Sequence, residues 1–202
     1  MSAASWRVAA GEATAELRDT GSRFFAFLAP APDVAHAEEF LAALRKRYPD
    51  ATHHCFAWRI GRPPVERASD AGEPAGTAGP PMLAVLRGAD LTDVVAVVVR
   101  WFGGTKLGKG GLVRAYGGAV RAALEQLPVR TERARVLIRV QLLPERIGAL
   151  RRLVHPPEIE LAGERWDEQR VEVDLAVVPE REAALREALA AFGLDVVPSQ
   201  LT

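Results

Sequence analysis

Apolar positions along the chain switch between a period of two and a period near 3.6, and each switch marks a new element. Val8 to Arg18 and Arg23 to Ala29 read as strands joined by the turn sequence Asp-Thr-Gly-Ser. Asp33 then predicts a helix start. Ala37, Phe40, Leu41, Leu44 and Tyr48 share one helical face. Glu38 and Glu39 lie early and Arg45 to Arg47 late, which suits the helix dipole, and Pro49 stops the run. THHCFAWRI, from Thr52, reads as a strand. Gly61 to Pro81 reads as a loop rich in Gly and Pro, followed by a short helix from Met82 to Gly88. DVVAVVVRWF, from Asp93, is aliphatic at both parities, so it predicts a central strand buried on both faces. Beyond it Val113, Tyr116, Val120, Leu124 and Leu127 form a helical stripe.

The chain divides near Pro128, which predicts domains at 1–128 and 129–202. In the second part VLIRVQLL alternates, with Val136, Ile138, Val140 and Leu142 on one face. A helix from Pro144 to Val154 gathers Ile147, Leu150 and Val154. EIELAGERW and QRVEVDLAVV read as a strand pair. In the latter Val171, Val173, Leu175 and Val177 alternate with Arg170, Glu172, Asp174 and Ala176, the mark of one packed and one wet face. A helix with Leu185, Leu189 and Phe192 inward follows, and LDVVP is a last strand. The order β-α-β-β-α-β is the ferredoxin-like pattern.

Charge changes the picture little at the level of the whole chain. Lys plus Arg number 26 and Asp plus Glu 26, so no bulk attraction to nucleic acid or membrane exists and anion binding needs a local patch. Such a patch is visible. Only Lys46, Lys106 and Lys109 are lysines, and two of these three fall in WFGGTKLGKGGLVRAY. From Val94 to Leu124 there is no acidic residue, against Arg100, Lys106, Lys109, Arg114 and Arg121. The opening residues lack the apolar core of a signal peptide, no aliphatic run approaches membrane-spanning length, and Cys55 is the single cysteine. These features predict a cytoplasmic protein without disulfides.

Candidate chemistry lies in three stretches. Gly103 to Lys109 matches G-x-x-x-x-G-K, but Gly110 stands where a P-loop has Ser or Thr, so the usual Mg²⁺ ligand is missing and an NTPase loop is rejected. A generic anion site remains. Gly103, Gly104, Gly108, Gly110 and Gly111 free the backbone to turn N–H groups toward an anion, and Trp101 and Phe102 are either stacking rings or core residues. Arg114 and Arg121, seven apart, share a helix face, and Gly117 and Gly118 imply a close approach to that helix. The second stretch, RASDAGEPAGTAG, offers Asp70 and Glu73 for acid–base work or a cation, or as turn formers. The third, THHCF, puts His53 and Cys55 on one strand face and His54 on the other. Half a zinc site is present, with nothing to complete it, so neither a metal nor a cofactor is assigned.

GSRFFAFLAP, DATHHCFAWRIG, RASDAGEPAGTAG and VVVRWFGGTKLGKGGLVRAYGGAV occur in this order, and together they resemble the IMPACT/YigZ family in its bacterial two-domain form. The resemblance covers roughly residues 16 to 127. It implies an α+β fold. The first domain would be of the ribosomal-protein second-domain type, a mostly antiparallel sheet with helices on one face. The second would be a ferredoxin-like βαββαβ domain similar to the last domain of elongation factor G. The family implies a link to translation and brings no firm catalytic activity. Its motifs carry over onto Arg67, Ser69, Asp70, Gly72, Glu73, Pro74, Gly76 and Thr77, and onto Gly103, Gly104, Lys106, Gly108, Gly111, Arg114 and Tyr116. Ala71 and Ala75 stand where the family pattern has Asp and Ser, which weakens a metal or catalytic reading of that loop.

The expectation is a non-catalytic, translation-associated regulator that contacts RNA, the ribosome or a translation factor. Its interface would be built from Arg100, Trp101, Gly103, Gly104, Lys106, Gly108, Lys109, Gly111, Arg114 and Arg121. The alternative is an enzyme or sensor for a small phosphorylated ligand held by residues 103–111. A plainer alternative makes the glycines a packing device and the open sheet of residues 134–199 a protein-binding face.

Overall fold

The computed structural model describes residues 5–197. They form two compact units, Trp6–Glu132 and the residues from Arg133 onward. The class is α+β, as the family resemblance implies.

In the first unit a five-stranded antiparallel sheet runs in the order β2-β3-β7-β4-β5: Ala13–Asp19, Ser22–Pro30, Val94–Trp101, His53–Ile60 and Val65–Ser69. Central β7 is why the layers form. Val94 to Val99 are all fully buried. Its even residues, with Phe24, Ala26, Leu28, Cys55 and Ala57, face helices α2 (Gly79–Gly88) and α3 (Gly108–Leu124). Its odd residues, with Phe27, Phe56 and Trp58, face helix α1 (Val34–Arg47). Helices therefore cover both faces of this sheet rather than one. A strand aliphatic at both parities leaves no face for water, since each exposed Val would forfeit about 1.5–3 kcal/mol of burial. Asp33 caps α1 as expected, its carboxylate accepting from the His36 N–H at 2.9 Å.

The predicted Val8–Arg18 strand is two strands in two sheets. Strand β1, Ser5–Ala9, joins a small sheet between β6, Leu91–Thr92, and β8, Val129–Arg133. The break lies at Gly11, where a Cβ would sit 3.2 Å from the Pro128 ring. The loop predicted from Gly61 to Pro81 contains β5 and the first turn of α2. An edge strand with Val65 and Arg67 exposed carries no alternating signal. Pro80 and Pro81 sit in the opening turn of α2, where a missing N–H costs nothing.

In the second unit β9 (Val136–Leu142), β10 (Ile159–Trp166), β11 (Val171–Val177) and β12 (Asp195–Val197) form an antiparallel sheet in the order β10-β11-β9-β12. With α4 (Ile147–Arg151) and α5 (Pro179–Ala191) this is the ferredoxin-like arrangement. Pro144–Arg146 is a 3₁₀ turn ahead of α4, and Leu150 is buried there. Leu185 and Leu189 are buried, whereas Phe192, predicted inward, lies past the end of α5 and is exposed. Pro198 of the predicted last strand falls outside the described residues. The wet face of the sheet is tiled by ion pairs: Arg139 with Asp174 at 2.7 Å, Arg165 with Asp174 at 3.0 Å, and Arg135 with Glu160 at 2.8 Å.

Candidate functional site

The signature loop between β5 and α2 is held from inside. Ala78, the N-cap of α2, has no side-chain acceptor of its own. Asp70 supplies one from eight residues upstream. Its Oδ1 accepts from the Ala78 and Gly79 N–H groups at 2.8 and 2.9 Å, and its Oδ2 from the Gly76 N–H at 2.8 Å. Burial opposes ionisation of this carboxyl, but the three backbone donors outweigh it and hold the pKa below the ordinary aspartate value. Ser69 Oγ accepts from the Ala71 N–H, and the Thr77 hydroxyl donates to the Pro74 carbonyl. Gly72 and Gly76 have φ of 90° and 79°, which only Gly adopts without strain. Arg67 lies elsewhere: its guanidinium stacks over Trp58 at 5.3 Å and reaches Glu38 on the α1 side.

Glu73 turns inward from the same loop and is nearly fully buried. Its Oε1 accepts from Arg100 Nη1 at 2.5 Å and from the Tyr116 hydroxyl at 2.6 Å. Arg100 Nη2 donates to Ser22 Oγ at 3.2 Å. Cys55 Sγ lies 3.0 Å from the Asp70 carbonyl oxygen and 3.3 Å from the Tyr116 hydroxyl. Burial pushes the Cys55 thiol up to about 12 and raises Tyr116 as well, so both stay protonated and Cys55 is no nucleophile at neutral pH. His53 is tied by Nδ1 to the Ala71 carbonyl at 2.9 Å. The pair His53 and Cys55 shares a face, as the strand parity predicts, and both serve the loop. Among the described residues no group of three or more His, Cys, Asp or Glu could hold a metal ion.

This network corrects the predicted interface in two places. Arg100 is only 4% exposed and ion-paired, so it does not reach a ligand at the surface. Its parity with Ala96 and Val98 carried the signal, because that face of β7 is core. Trp101 points to the opposite, α1 side, where its ring meets Tyr48 edge-on and its N–H donates to Asp50 at 2.8 Å. Phe102 is the exposed aromatic of the loop.

The remaining basic residues are spread along the loop and α3, with Lys106 and Lys109 near the helix start and Arg121 in its last turn. Lys106, Lys109, Arg114 and Arg121 are exposed. None of them joins an ion pair among the described residues. Arg114 bends back over the first turn of α3, its Nη1 3.7 Å from where a Cβ of Gly110 would be. Leu107, the N-cap of α3, offers no side-chain acceptor, so the first N–H groups of a helix of 17 residues carry their partial positive charge outward. The glycines have separate tasks. Gly103 packs on the turn before β3, where a Cβ would stand 1.9 Å from the Gly21 carbonyl carbon, and its N–H donates to Ser22 Oγ. Gly104 and Gly108 have φ of 87° and 70°. A Cβ on Gly111 would meet Leu107 at 2.8 Å. The close approaches inferred at Gly117 and Gly118 are to Val85 and Pro81 of α2 at 3.8 and 3.9 Å, and to Leu17 of β2 at 3.2 Å. No helix among the described residues is long and apolar enough to cross a membrane.

Comparison with known proteins agrees with these motifs. The family model described as the Impact N-terminal domain matches residues 20–124. The IMPACT family member YigZ of Escherichia coli is 48% identical over 126 residues, which span 61% of this chain and 62% of that protein. An IMPACT family member of Haemophilus influenzae is 38% identical over 143 residues, 69% of each chain. A crystal structure described as that of a hypothetical protein superposes with a TM-score of 0.70 at 34% identity, covering 98% of both chains. The matched family model spans the signature loop, the Glu73–Arg100 pair and the basic turn of α3 alike, and the chain belongs to the IMPACT family.

Proposed function

We propose that the chain is a non-catalytic, translation-associated regulator that binds RNA, as free strands or on the ribosome, through the loop before α3 and the exposed face of that helix. The observation that carries this reading is the set Lys106, Lys109, Arg114 and Arg121, exposed, in no ion pair among the described residues, and without an acidic residue anywhere from Val94 to Leu124. Uncapped N–H groups at the start of α3 add to the field. Phosphate groups satisfy such a surface, and Phe102 beside it offers a base one ring to stack on. The family resemblance supplies the setting, translation.

Fluorescence anisotropy of a labelled single-stranded RNA at several salt concentrations tests this. Four phosphate contacts give a slope of log K against log salt of about −3. Lys106→Ala with Arg114→Ala flattens it by about 1.4 and leaves thermal stability within about 0.5 kcal/mol. An unchanged slope in the double variant sinks the proposal. The uncapped helix start also favours a second reading, a site for a small phosphorylated ligand. Under that reading a nucleotide or sugar phosphate raises the melting temperature saturably, and Lys106→Ala abolishes the shift.

A further inference from the structure

Between α2 and α3 runs an open groove of about 780 Å³ whose apolar walls the RNA reading leaves unused, although its rim shares Arg114 and Arg121 with that reading. Its walls include Ala84, Val85, Gly88, Val113 and Leu124, and its charged residues are Arg114 and Arg121 alone. We propose that this groove is the docking site for an acidic amphipathic helix of a protein partner. The inference goes beyond the RNA reading, and each can fail without the other.

The walls decide the chemical class. Val113 is 40% exposed on a helix whose other aliphatic residues are largely covered, so it presents a free apolar surface. Gly88 and Ala84 hold the α2 wall low, and a Cβ built on Gly88 would meet nothing within 4 Å. Small residues of this kind let another helix axis come within the usual 8–10 Å. None of the lining residues is aromatic, so a nucleobase would find no stacking platform.

Charge then selects among helices. Arg114 and Arg121 lie two turns apart along α3, about 10.5 Å at 1.5 Å per residue. A helix lying along the groove presents its own residues i and i+7 at the same spacing. Carboxylates at those positions come within ion-pairing reach of both guanidinium groups once Arg114 swings forward from its place over Gly110. A neutral apolar helix would instead bury two cations without partners, which is strongly unfavourable. The recognised ligand is thus an aliphatic stripe flanked by Asp or Glu two turns apart.

A display library of helical peptides about four turns long, panned on the full chain, tests the proposal. Selected peptides are expected to be net acidic, with carboxylates two turns apart. They should bind Arg121→Glu and Gly88→Trp at least about tenfold more weakly than the native chain. Gly88→Trp fills the groove from an open position, and circular dichroism establishes its folding. Arg121→Glu alters only an exposed side chain and provides the second handle. Single-stranded RNA should bind Gly88→Trp as it binds the native chain. Enrichment of neutral or basic peptides, undiminished binding to both variants, or failure to enrich any peptide overturns the inference. So does a loss of RNA affinity in Gly88→Trp, which would make the groove a nucleic-acid channel.

Discussion

Two glycine-rich loops of the first unit look alike on paper and behave as opposites. Residues 67–79 and 102–111 both combine several glycines with a few charged side chains. In the first loop the charges of Asp70 and Glu73 are spent inward, on three backbone N–H groups and on the Arg100–Tyr116 pair. In the second, Lys106 and Lys109 are exposed without ion-pair partners among the described residues, and Arg114 reaches back toward Gly110. The difference follows from what each loop lies against. The 67–79 loop covers the α3 side of the sheet, where polar groups must be bonded or stay out. The 102–111 loop is anchored by the Gly103 backbone and by Leu107, which packs on the core, and leaves its charged side chains in water. Paired charge there is scaffold, and unpaired charge is available to a ligand.

The largest expected effect tests the scaffold half of this contrast. Glu73→Ala leaves Arg100 buried without a counterion, with its Nε already lacking a partner. The loss should be about 3–5 kcal/mol in urea unfolding. A loss below about 1 kcal/mol would mean the loop is not locked, and the contrast would collapse. Asp70→Ala comes next, removing the acceptor for three N–H groups, and should cost about 2–3 kcal/mol. Its pH dependence has a definite sign. Asp70 titrates below its unfolded value, so its contribution is complete above about pH 4 and lost as pH falls through the folded value. Asp70→Asn should therefore show a flatter acid limb than the native chain. Tyr116→Phe, which removes one hydroxyl bonded to Glu73, should cost about 1 kcal/mol.

How much of this could be read from the chain depends on the range of the interaction. β7 was legible because Val94 to Val99 are aliphatic at both parities, and the second unit because Val171 to Val177 alternate strictly. Strand β5 was not, since an edge with Val65 and Arg67 exposed lacks a period. The basic turn was legible as a local charge bias. The pairing of Glu73 with Arg100 was not, because 27 residues separate them and only the folded sheet brings them together. Asp70 as a distant cap escaped for the same reason. A cap is sought next to its helix, and this one acts from eight residues before the N-cap. Gly103 looked like backbone freedom for an anion. Its actual constraint is the Gly21 carbonyl, a neighbour that no local pattern shows.

The smallest expected effect sharpens the contrast from within the locked loop. Ala71 has φ of 46°, in the left-handed region where a Cβ costs roughly 1–2 kcal/mol. The residue is nonetheless held, with its N–H on Ser69 Oγ and its carbonyl on His53 Nδ1. A loop free to relax would move Ala71 out of that region, so the strain persists because the surrounding bonds over-determine it. Ala71→Gly removes the strain at the cost of greater unfolded-state freedom and a small apolar contact. The balance should be a gain of about 0.5 kcal/mol, read as a higher urea midpoint at unchanged m. The same substitution should leave the salt dependence of RNA binding untouched, since Ala71 faces the core side of the sheet and the cations of α3 do not depend on it. A loss of stability would show that the Ala71 methyl packs more strongly than its backbone is strained, and a changed salt slope would show that the two loops are coupled.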